Sequence, residues 1–319
     1  VMLHQQRCVQ CSRCIRFFEN VTHTGELQFF GRGDHVHIGT INDEKLTNPY
    51  SGNVAEICPV GALTSHDFRF KARVWFLHST DSVCGGCSTG CNVRIDHRDG
   101  TVFRLQARRN PEVNRSWLCD EGRLCFHTLG RWPRLRHGSK GAEQQFVDDI
   151  LPQIHDRFEL IRKEHGVNAV AALGSAMNTN EALFLMKKYF KGRTDFRLGK
   201  ETELYRQLQD DLLRRLDKHA NTQGAIDLGL NGGLNGLHGM RELAEKKQIR
   251  AMWISFHPQL VGEDSPEIIA ELKRLIDALD FSVVSTTHDF EWTRKASVRL
   301  PMAAWTEETG TYTNYAGRV

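Results

Sequence analysis

Long hydrophobic runs are missing from this sequence of 319 residues. No stretch approaches the eighteen or so consecutive apolar residues of a membrane-spanning helix, and no charged segment followed by an apolar one indicates secretion. A net charge of +3, with fifteen neutral histidines, is too weak to indicate nucleic-acid binding. The sequence therefore favours a cytoplasmic globular protein without a nucleic-acid partner. Its length favours two or three domains.

Cysteine is absent after Cys125. All nine cysteines lie before residue 126, and eight of them form two sets of four. Their spacing of two or three residues is too close for most to pair with a sequence neighbour, and the chain is neither small nor secreted. Disulfides are therefore the weaker interpretation, and metal ligation is favoured. Cys125 has no partners at ligand spacing and is predicted to be a buried thiol.

The first cysteine set opens the chain. Cys8, Cys11 and Cys14 form a C-x2-C-x2-C run, and Cys58 follows at a distance, directly before Pro59. Three close thiols and one remote Cys-Pro are the ligand pattern of a bacterial-type [4Fe–4S] centre. Structural zinc is the alternative, although zinc sites favour two separated C-x2-C knuckles. The pattern predicts a first [4Fe–4S] cluster.

The second set is built around a glycine-rich loop. Its members are Cys84, Cys87, Cys91 and Cys119. Glycines at positions 85, 86 and 90 permit a backbone that wraps a cluster closely. Between Cys91 and Cys119, alternating runs flank Asp99-Gly100, which is a strong hairpin signal. The hairpin would carry the chain away and back, so the sequence predicts a second [4Fe–4S] cluster.

Strands and helices alternate in the rest of the chain. Apolar runs at 169–173, 250–256 and 281–285 predict strands, and residues 68–78 predict another strand between the two cluster regions. Helical periodicity covers 143–164, with Phe146, Ile150, Ile154, Phe158 and Ile161 on one face and a kink or late start expected at Pro152. Two further helices are predicted, over 179–190 and from Ser265-Pro266 onward. This alternation predicts a parallel sheet covered on both sides.

Two glycine-rich stretches lie at 221–224 and 228–239. Their backbone amides could cradle a phosphate, or they could be plain surface connections. No G-x-G-x-x-G follows a strand in the required context, so the sequence predicts no nicotinamide site.

The cysteine motifs and their flanks resemble a known family. Residues 7–19 and 51–64 closely resemble the G-type (75-kDa-type) iron–sulfur subunit of respiratory complex I, the NADH–quinone oxidoreductase. Residues 84–125 and 306–318 match the molybdopterin-oxidoreductase superfamily, to which that subunit belongs, in the same order. The resemblance implies a ferredoxin-like [4Fe–4S] domain at 1–75, a molybdopterin-oxidoreductase-type [4Fe–4S] domain at 76–130 and an α/β domain at 131–319. The expected fold class is thus α/β with small α+β iron–sulfur domains.

The resemblance also implies an activity. The chain is expected to relay single electrons from NADH- and flavin-derived clusters toward quinone, with no catalytic residue of its own. Expected partners are the NADH/FMN module and the quinone-side iron–sulfur subunits, on the cytoplasmic face of a bacterial inner membrane, with membrane contact only through the complex. Arg7, Arg13 and Arg16 lie beside the first cluster, where they would favour its reduced form or simply be solvated. The second cluster is expected to be a structural staple.

Several residues of this chain differ from those usual in the superfamily's enzymes, and they favour an electron-relay subunit over a catalytic subunit. Those enzymes usually hold molybdenum or tungsten with a residue of the α/β domain, often cysteine, and place a lysine where this chain has Glu121. Because no cysteine follows Cys125 and Glu121 replaces that lysine, no molybdopterin is expected. The C-terminal motif departs from the family at Glu308, where lysine is usual, and at Ala316, where glutamate is usual, which leaves any role of these two positions open. The alternatives are the α subunit of an NAD-dependent molybdenum or tungsten formate dehydrogenase and a redox-inert scaffold.

The family's N-terminal [2Fe–2S] region and its histidine-ligated cluster have no counterpart here. The chain is therefore expected to be a fragment, and His4 is expected to be an ordinary polar residue because no cysteine set remains for it. The short distance from Cys119 to the C-terminal motif suggests that the α/β domain is reduced.

Overall fold

The computed structural model describes residues 1–141, 143–191, 193–197, 209–232, 234–261 and 264–319. Contacts divide the chain into two units. Unit 1 consists of Val1–Cys84, Cys91–Phe126 and Asp210–Arg214; unit 2 consists of Gly85–Gly90, His127–Gln209 and Arg215–Val319. Both predicted cluster regions contribute to unit 1, and the three predicted domain boundaries stay a prediction.

The first part of unit 1 combines two small sheets with two helices. Strand β1 (Met2–Leu3) pairs antiparallel with β4 (Leu63–Thr64), and β2 (Gln28–Phe30) pairs with β3 (His37–Gly39). Helices α1 (Arg13–Asn20) and α2 (Gly52–Ile57) pack against each other. Phe18 and Val54, one from each helix, are fully buried. These apolar contacts hold the two segments that carry the first cysteine set.

The second part of unit 1 is a three-stranded antiparallel sheet followed by a short helix. Strands β5 (His78–Val83), β6 (Asn92–Arg98) and β7 (Thr101–Ala107) pair in that order, and α3 (Asp120–Leu124) follows. The predicted hairpin is confirmed: Asp99 and Gly100 join β6 to β7 with φ of 52° and 73°. Both turn residues are left-handed, which is the conformation that a two-residue hairpin turn requires.

The strand predicted at residues 68–78 is wrong. Val74–Phe76 form a turn of 3-10 helix, and the strand begins only at His78. Four apolar side chains of this stretch are exposed, those of Phe70 (89%), Val74 (52%), Trp75 (74%) and Phe76 (55%). The run is apolar enough to predict a buried strand, but it lies on the surface of unit 1.

Unit 2 is built on a mixed sheet. The described residues form a seven-stranded sheet in the order β11-β10-β12-β13-β14-β8-β9. The strands are β8 (Gly138–Lys140), β9 (Glu143–Gln145), β10 (Val170–Ser175), β11 (Arg193–Arg197), β12 (Ala251–Phe256), β13 (Phe281–Thr286) and β14 (Val298–Pro301). Five neighbouring strands, β11, β10, β12, β13 and β14, are parallel. The β8–β9 hairpin adds two antiparallel strands at one edge. The α/β class is thus correct, but the sheet is not wholly parallel.

Helices cover both faces of this sheet. They are α4 (Val147–His165), α5 (Asn180–Phe190), α6 (Thr222–Asp227), α7 (Leu234–Glu245) and α8 (Pro266–Ala278). Ile154 and Phe158 of α4 pack with Val170 on one face, whereas Leu272 of α8 packs with Met252 on the other. Successive strand residues point to opposite faces, so each buried strand serves both cores.

The predicted helices exist, with corrections at their ends. Helix α4 begins at Val147, after the short β9, and continues through Pro152. Phe146, predicted to lie on its buried face, precedes the helix and is 74% exposed. Helix α5 is capped by the Thr179 side chain, and Pro266 is the first residue of α8, as its sequence indicates.

The glycine-rich stretches are largely helical. Gly224 lies in α6, where an added Cβ would overlap the side-chain oxygens of Asn180 and Asn221. The second stretch leads into α7 through Gly229 and Gly232, both with positive φ, while Gly233 lies outside the described residues. At Gly232 a Cβ would overlap the ring of Phe196. These described glycines allow helices and side chains to pack closely, and the phosphate-cradling interpretation stays a prediction. Among helices formed by the described residues, none combines the length and apolar composition of a bilayer-spanning segment.

Candidate iron–sulfur centres

The loop from Cys8 to Cys14 has an unusual backbone. Gln10 and Ser12 adopt left-handed φ of 53° and 58° without being glycine. The N–H of Gln10 thereby reaches the Sγ of Cys8 at 3.4 Å. Cys14 lies inside α1 and is buried, while Cys8 and Cys11 are half-buried. The left-handed residues curl the loop so that an amide points at a thiol, which is the contact that iron–sulfur sites use.

Cys58 lies at the carboxyl end of α2, in a nest of backbone amides. The N–H of Leu63 donates to its Sγ at 3.4 Å. Burial raises the pKa of Cys58, but the N–H groups of Leu63, Val60, Ala62 and Gly61 outweigh burial and leave this pKa below its ordinary value. The nest therefore favours a thiolate, the form that binds metal.

Sheet pairing brings the two ends of the first set toward each other. The β1–β4 ladder continues through the His4 N–H, which donates to Ala62 O at 2.7 Å. The chain entering Cys8 thus runs beside the nest that follows Cys58. Burial raises the pKa of Cys14 to about 11, and the charges of Cys11 and Cys8 add to that effect. These four residues fit a [4Fe–4S] ligand set.

The second set is buried more deeply. Cys84, Cys87, Cys91 and Cys119 are all less than 9% exposed. Cys84 directly follows β5, and its N–H donates to Cys91 O at 2.8 Å, closing the base of the loop. Cys87 belongs to the loop segment Gly85–Gly90 that is counted with unit 2. The β6–β7 hairpin returns the chain to Cys119, as the sequence predicts.

Gly122 is a site residue that the sequence analysis missed. Cys119 caps α3, and its Sγ accepts a 3.3 Å hydrogen bond from the Gly122 N–H. An added Cβ at Gly122 would lie 3.0 Å from the Sγ of Cys84 and 3.3 Å from that of Cys119. Glycine therefore lets the two thiols approach this turn of helix more closely than a residue with a Cβ would. No local sequence signal indicates this role, because Cys84 lies 38 residues earlier.

The C-terminal motif 306–318 holds the loop that carries Cys87. Within unit 2, the Asn314 side-chain amide donates to Thr89 O at 3.2 Å, and the Tyr315 N–H donates to Ser88 O at 2.9 Å. The Ser88 N–H itself donates to Asp217 O at 2.9 Å. Asn314 also folds its own turn, because its Oδ1 accepts from Ala316 N and Arg318 N, both at 3.0 Å. The motif thus acts as a clamp on the second cysteine loop.

Glu121, where the superfamily's catalysts carry lysine, is paired. Its carboxylate forms an ion pair with the buried guanidinium of Arg214. Asp210 aligns this segment by accepting from Arg214 N at 3.1 Å and from the Tyr50 hydroxyl at 2.8 Å. Burial and the charge of Asp210 raise the pKa of Tyr50, so its hydroxyl stays a donor. The segment Asp210–Arg214 is therefore anchored to unit 1 beside α3.

A site for one metal ion and a site for an iron–sulfur cluster need different arrangements of ligands. Among the described residues, no three His, Cys, Asp or Glu side chains converge on one point that would hold a single ion. A cubane makes a different demand, since its four thiolates bind four separate irons. Cys125 is buried at 2% exposure, as predicted. The eight cysteine ligands themselves stay a prediction.

The segments that carry the two cysteine sets match known family models. Residues 1–64 match the model of the NADH-quinone oxidoreductase subunit 3, ferredoxin-like domain. Residues 77–127 match that of the NADH-ubiquinone oxidoreductase NDSU1/NuoG-like, 4Fe-4S domain. Both cysteine sets thus lie in segments that are similar to iron–sulfur domains of NADH–quinone oxidoreductase. Residues 199–319 match the molybdopterin oxidoreductase model.

Individual relatives agree with the family match. NADH-quinone oxidoreductase subunit 3 of Thermus thermophilus is 46% identical over 124 residues, which are 39% of this chain and 16% of the relative. The G-type subunit of the Streptomyces coelicolor NADH-quinone oxidoreductase is 44% identical over 135 residues, 42% of this chain and 16% of the relative. The mitochondrial NADH dehydrogenase [ubiquinone] iron-sulfur protein 1 of Solanum tuberosum is 37% identical over 174 residues, 53% of this chain and 24% of the relative. The matched part thus spans about a quarter or less of these relatives.

Proposed function

We propose that this chain is an electron-relay subunit of an NADH–quinone oxidoreductase. The observation that carries the proposal is the Cys58 nest, in which backbone amides favour a thiolate in a domain matched by the subunit 3 ferredoxin-like model. Cys8, Cys11, Cys14 and Cys58 would hold a [4Fe–4S] cluster. Such a cluster supplies one-electron redox chemistry when bound.

The protein around the first set favours electron exchange with neighbours. Three of its four thiols, those of Cys8, Cys11 and Cys58, are only half-buried, so the site approaches the surface of unit 1. The N–H groups after Cys58 and that of Gln10 stabilise negative charge on sulfur. Arg16 donates to Cys11 O at 3.3 Å and holds positive charge beside the loop.

The second set is proposed to be structural. Cys84, Cys87, Cys91 and Cys119 would hold a second [4Fe–4S] cluster, and all four are buried. A loop and a hairpin with little apolar core of their own gain stability from thiolate bonds. No molybdopterin is proposed, since Glu121 is paired with Arg214 and no cysteine follows Cys125.

The partners follow from the proposed role. Electrons would arrive from the NADH/FMN module and leave toward quinone-side iron–sulfur subunits. We place the chain in the peripheral arm on the cytoplasmic face of a bacterial inner membrane, with membrane contact only through the complex.

The relay is tested by replacing Cys58. In the assembled complex, Cys58→Ala should remove the first cluster's spectroscopic signature and abolish NADH-to-quinone electron flow. Cys125→Ser is the matched control, because Cys125 is a cysteine outside both sets. Retained turnover with the first cluster proven absent would overturn the relay assignment.

Metal analysis of anaerobically purified protein separates the alternatives. About eight irons with matching sulfide and no molybdenum are what two cubanes require. Bound molybdenum or tungsten with pterin would support the formate dehydrogenase interpretation instead. Clusters that never change oxidation state would support the redox-inert scaffold.

A further inference from the structure

Unit 1 exposes a row of aromatic side chains, residues 69–76, here called the aromatic ridge. Phe70 is 89% exposed, Trp75 is 74% exposed and Phe76 is 55% exposed. The rings of Trp75 and Phe76 lie against each other, with centroids 6.0 Å apart. Three exposed aromatic residues so close in sequence are unusual on a protein surface and are typical of interaction sites.

The backbone of the ridge indicates that these side chains do not serve the fold of this chain. Phe70 has φ of 67°, a left-handed conformation that a bulky residue rarely adopts. The Arg69 guanidinium lies 4.5 Å from its ring centre. A strained residue with so little burial gains nothing inside unit 1, which points to a contact outside it.

The ridge borders a concave surface. A cavity of about 370 Å³ lies between Phe70, the end of α2, β7 and the residues after α3. Arg104 stacks on Phe68 at 4.2 Å on its wall. A concavity next to projecting rings suits a protruding protein side chain better than a lipid surface.

The charge of the ridge defines the partner. Residues 66–78 contain Arg69, Lys71 and Arg73 against one carboxylate, Asp67, which pairs with Lys71 at 2.9 Å. Arg69 and Arg73 stack on Phe70 and Trp75, and neither lies at ion-pair distance from a carboxylate in the described part of the chain. Two stacked guanidinium groups thus remain available to acidic groups from outside. Arginine and tryptophan together dominate the energetics of many protein interfaces.

We propose that the aromatic ridge and its cavity bind an acidic, apolar-tipped segment of another protein subunit. The segment would insert an apolar side chain into the cavity and place carboxylates against Arg69 and Arg73. This inference rests on the proposed function, because it names the surface through which the relay subunit meets a partner in the complex.

The partner is identified by photo-crosslinking in the assembled complex. A benzoylphenylalanine is placed at Trp75, and the control carries it at Phe146, a residue of equal exposure on unit 2. We expect Trp75 alone to give an adduct with a peptide of another subunit that carries an excess of Asp and Glu. Adducts only with this polypeptide, a second copy of it or lipid would overturn the inference, as would no adduct above the Phe146 control.

A second measurement tests the energetics. Trp75→Ser combined with Arg73→Glu should lower co-purification of that subunit about tenfold or more, while Phe146→Ser should change it less than twofold. Both changes are on exposed side chains, and unchanged circular dichroism and iron content verify that the chain still folds. Equal co-purification of the doubly altered chain would reject the surface and leave the relay function standing. Failure of the unaltered chain to co-purify with oxidoreductase subunits would reject both.

Discussion

Gly122 donates its backbone N–H to the Sγ of Cys119, which is also the capping residue of the same helix. The thiol at this position therefore has two roles, because it satisfies an N–H group at the start of α3 and also belongs to the second cysteine set. The local fold thus holds the Cys119 sulfur in place at the start of α3, where the second cysteine set is predicted to bind its cluster.

Replacement of Gly122 by alanine should damage the second cluster. Its Cβ would lie 3.0 Å from the Sγ of Cys84 and 3.3 Å from that of Cys119, and two fixed ligand sulfurs cannot withdraw without changing the site. We expect iron to fall from about eight to about four per chain. Overpacking should also cost about 1 to 3 kcal/mol in the free energy of unfolding. Iron analysis and low-temperature electron paramagnetic resonance measure the first effect.

Gly130→Ala is the matched control. A Cβ at Gly130 meets nothing within 4 Å, so the iron content and spectrum should equal those of the parent. Full iron content in Gly122→Ala would show that the Cys84 and Cys119 thiols do not share a cluster beside this helix.

The second prediction concerns pH and His288. Burial lowers the pKa of His288 below its ordinary value of 6.5, and Arg134 adds to this, while Glu307 opposes it. At a pH between the pKa of His288 in the folded chain and 6.5, the unfolded chain binds a proton at this residue that the folded chain does not. Stability should therefore decline as pH falls through this window, by at most about 1.4 kcal/mol per pH unit from this one group.

His288→Gln should flatten that part of the stability curve. Denaturant unfolding of the full chain between pH 5.5 and 8 measures the change in slope. His35→Gln is the control, because the His35 side chain is 87% exposed, and it should keep the slope of the parent. An unchanged slope in His288→Gln would contradict the assigned cause.

Sequence periodicity predicted the interior of unit 2 well and its edges poorly. Strands β10, β12 and β13 are apolar runs buried on both faces, so composition alone identifies them. The edge strand β11 and the β8–β9 hairpin are polar and were missed, because edge strands face solvent on one side. The stretch at 68–78 failed for the opposite reason, since its apolar side chains serve no core.

In the candidate centres, too, local features could be predicted from the sequence and contacts between distant residues could not. Cysteine spacing predicted both sets, because ligand chemistry is local to C-x2-C runs and glycine-rich loops. The role of Gly122 depends on Cys84, which lies 38 residues earlier and reaches it only through the hairpin. Likewise, the Asn314 clamp on Thr89 joins residues 225 positions apart. Such contacts follow from tertiary packing and are invisible to periodicity.

The third prediction tests that clamp with two substitutions of Asn314 that remove different numbers of hydrogen bonds. Asn314→Asp keeps the two acceptor bonds from Ala316 N and Arg318 N but loses donation to Thr89 O. Asn314→Ala loses all three. With each bond worth about 1 kcal/mol, the alanine variant should lose roughly 2 to 3 kcal/mol of stability and the aspartate variant about 1.

The clamp has a spectroscopic readout that a purely local turn would not move. Because Ser88 and Thr89 follow Cys87 directly, the signal of the second cluster should broaden or shift in both Asn314 variants, and more in alanine. The first cluster's signal should be unchanged. Loss of stability with an unaltered second signal would limit Asn314 to holding its own turn.

The last prediction separates structure from electron transfer at the second set. Cys91→Ser removes a buried ligand whose backbone also closes the loop onto Cys84. If the cluster there is a staple, its signature should be lost or perturbed and the yield of complex should fall, because a hairpin and a glycine-rich loop lose their cross-link. Each complex that does assemble should keep near-normal NADH-to-quinone turnover. Cys125→Ser, at an equally buried thiol outside both sets, controls for loss of a core sulfur. A Cys91→Ser complex that assembles fully, retains the cluster of Cys8 to Cys58 and yet loses turnover would place the second cluster on the electron path.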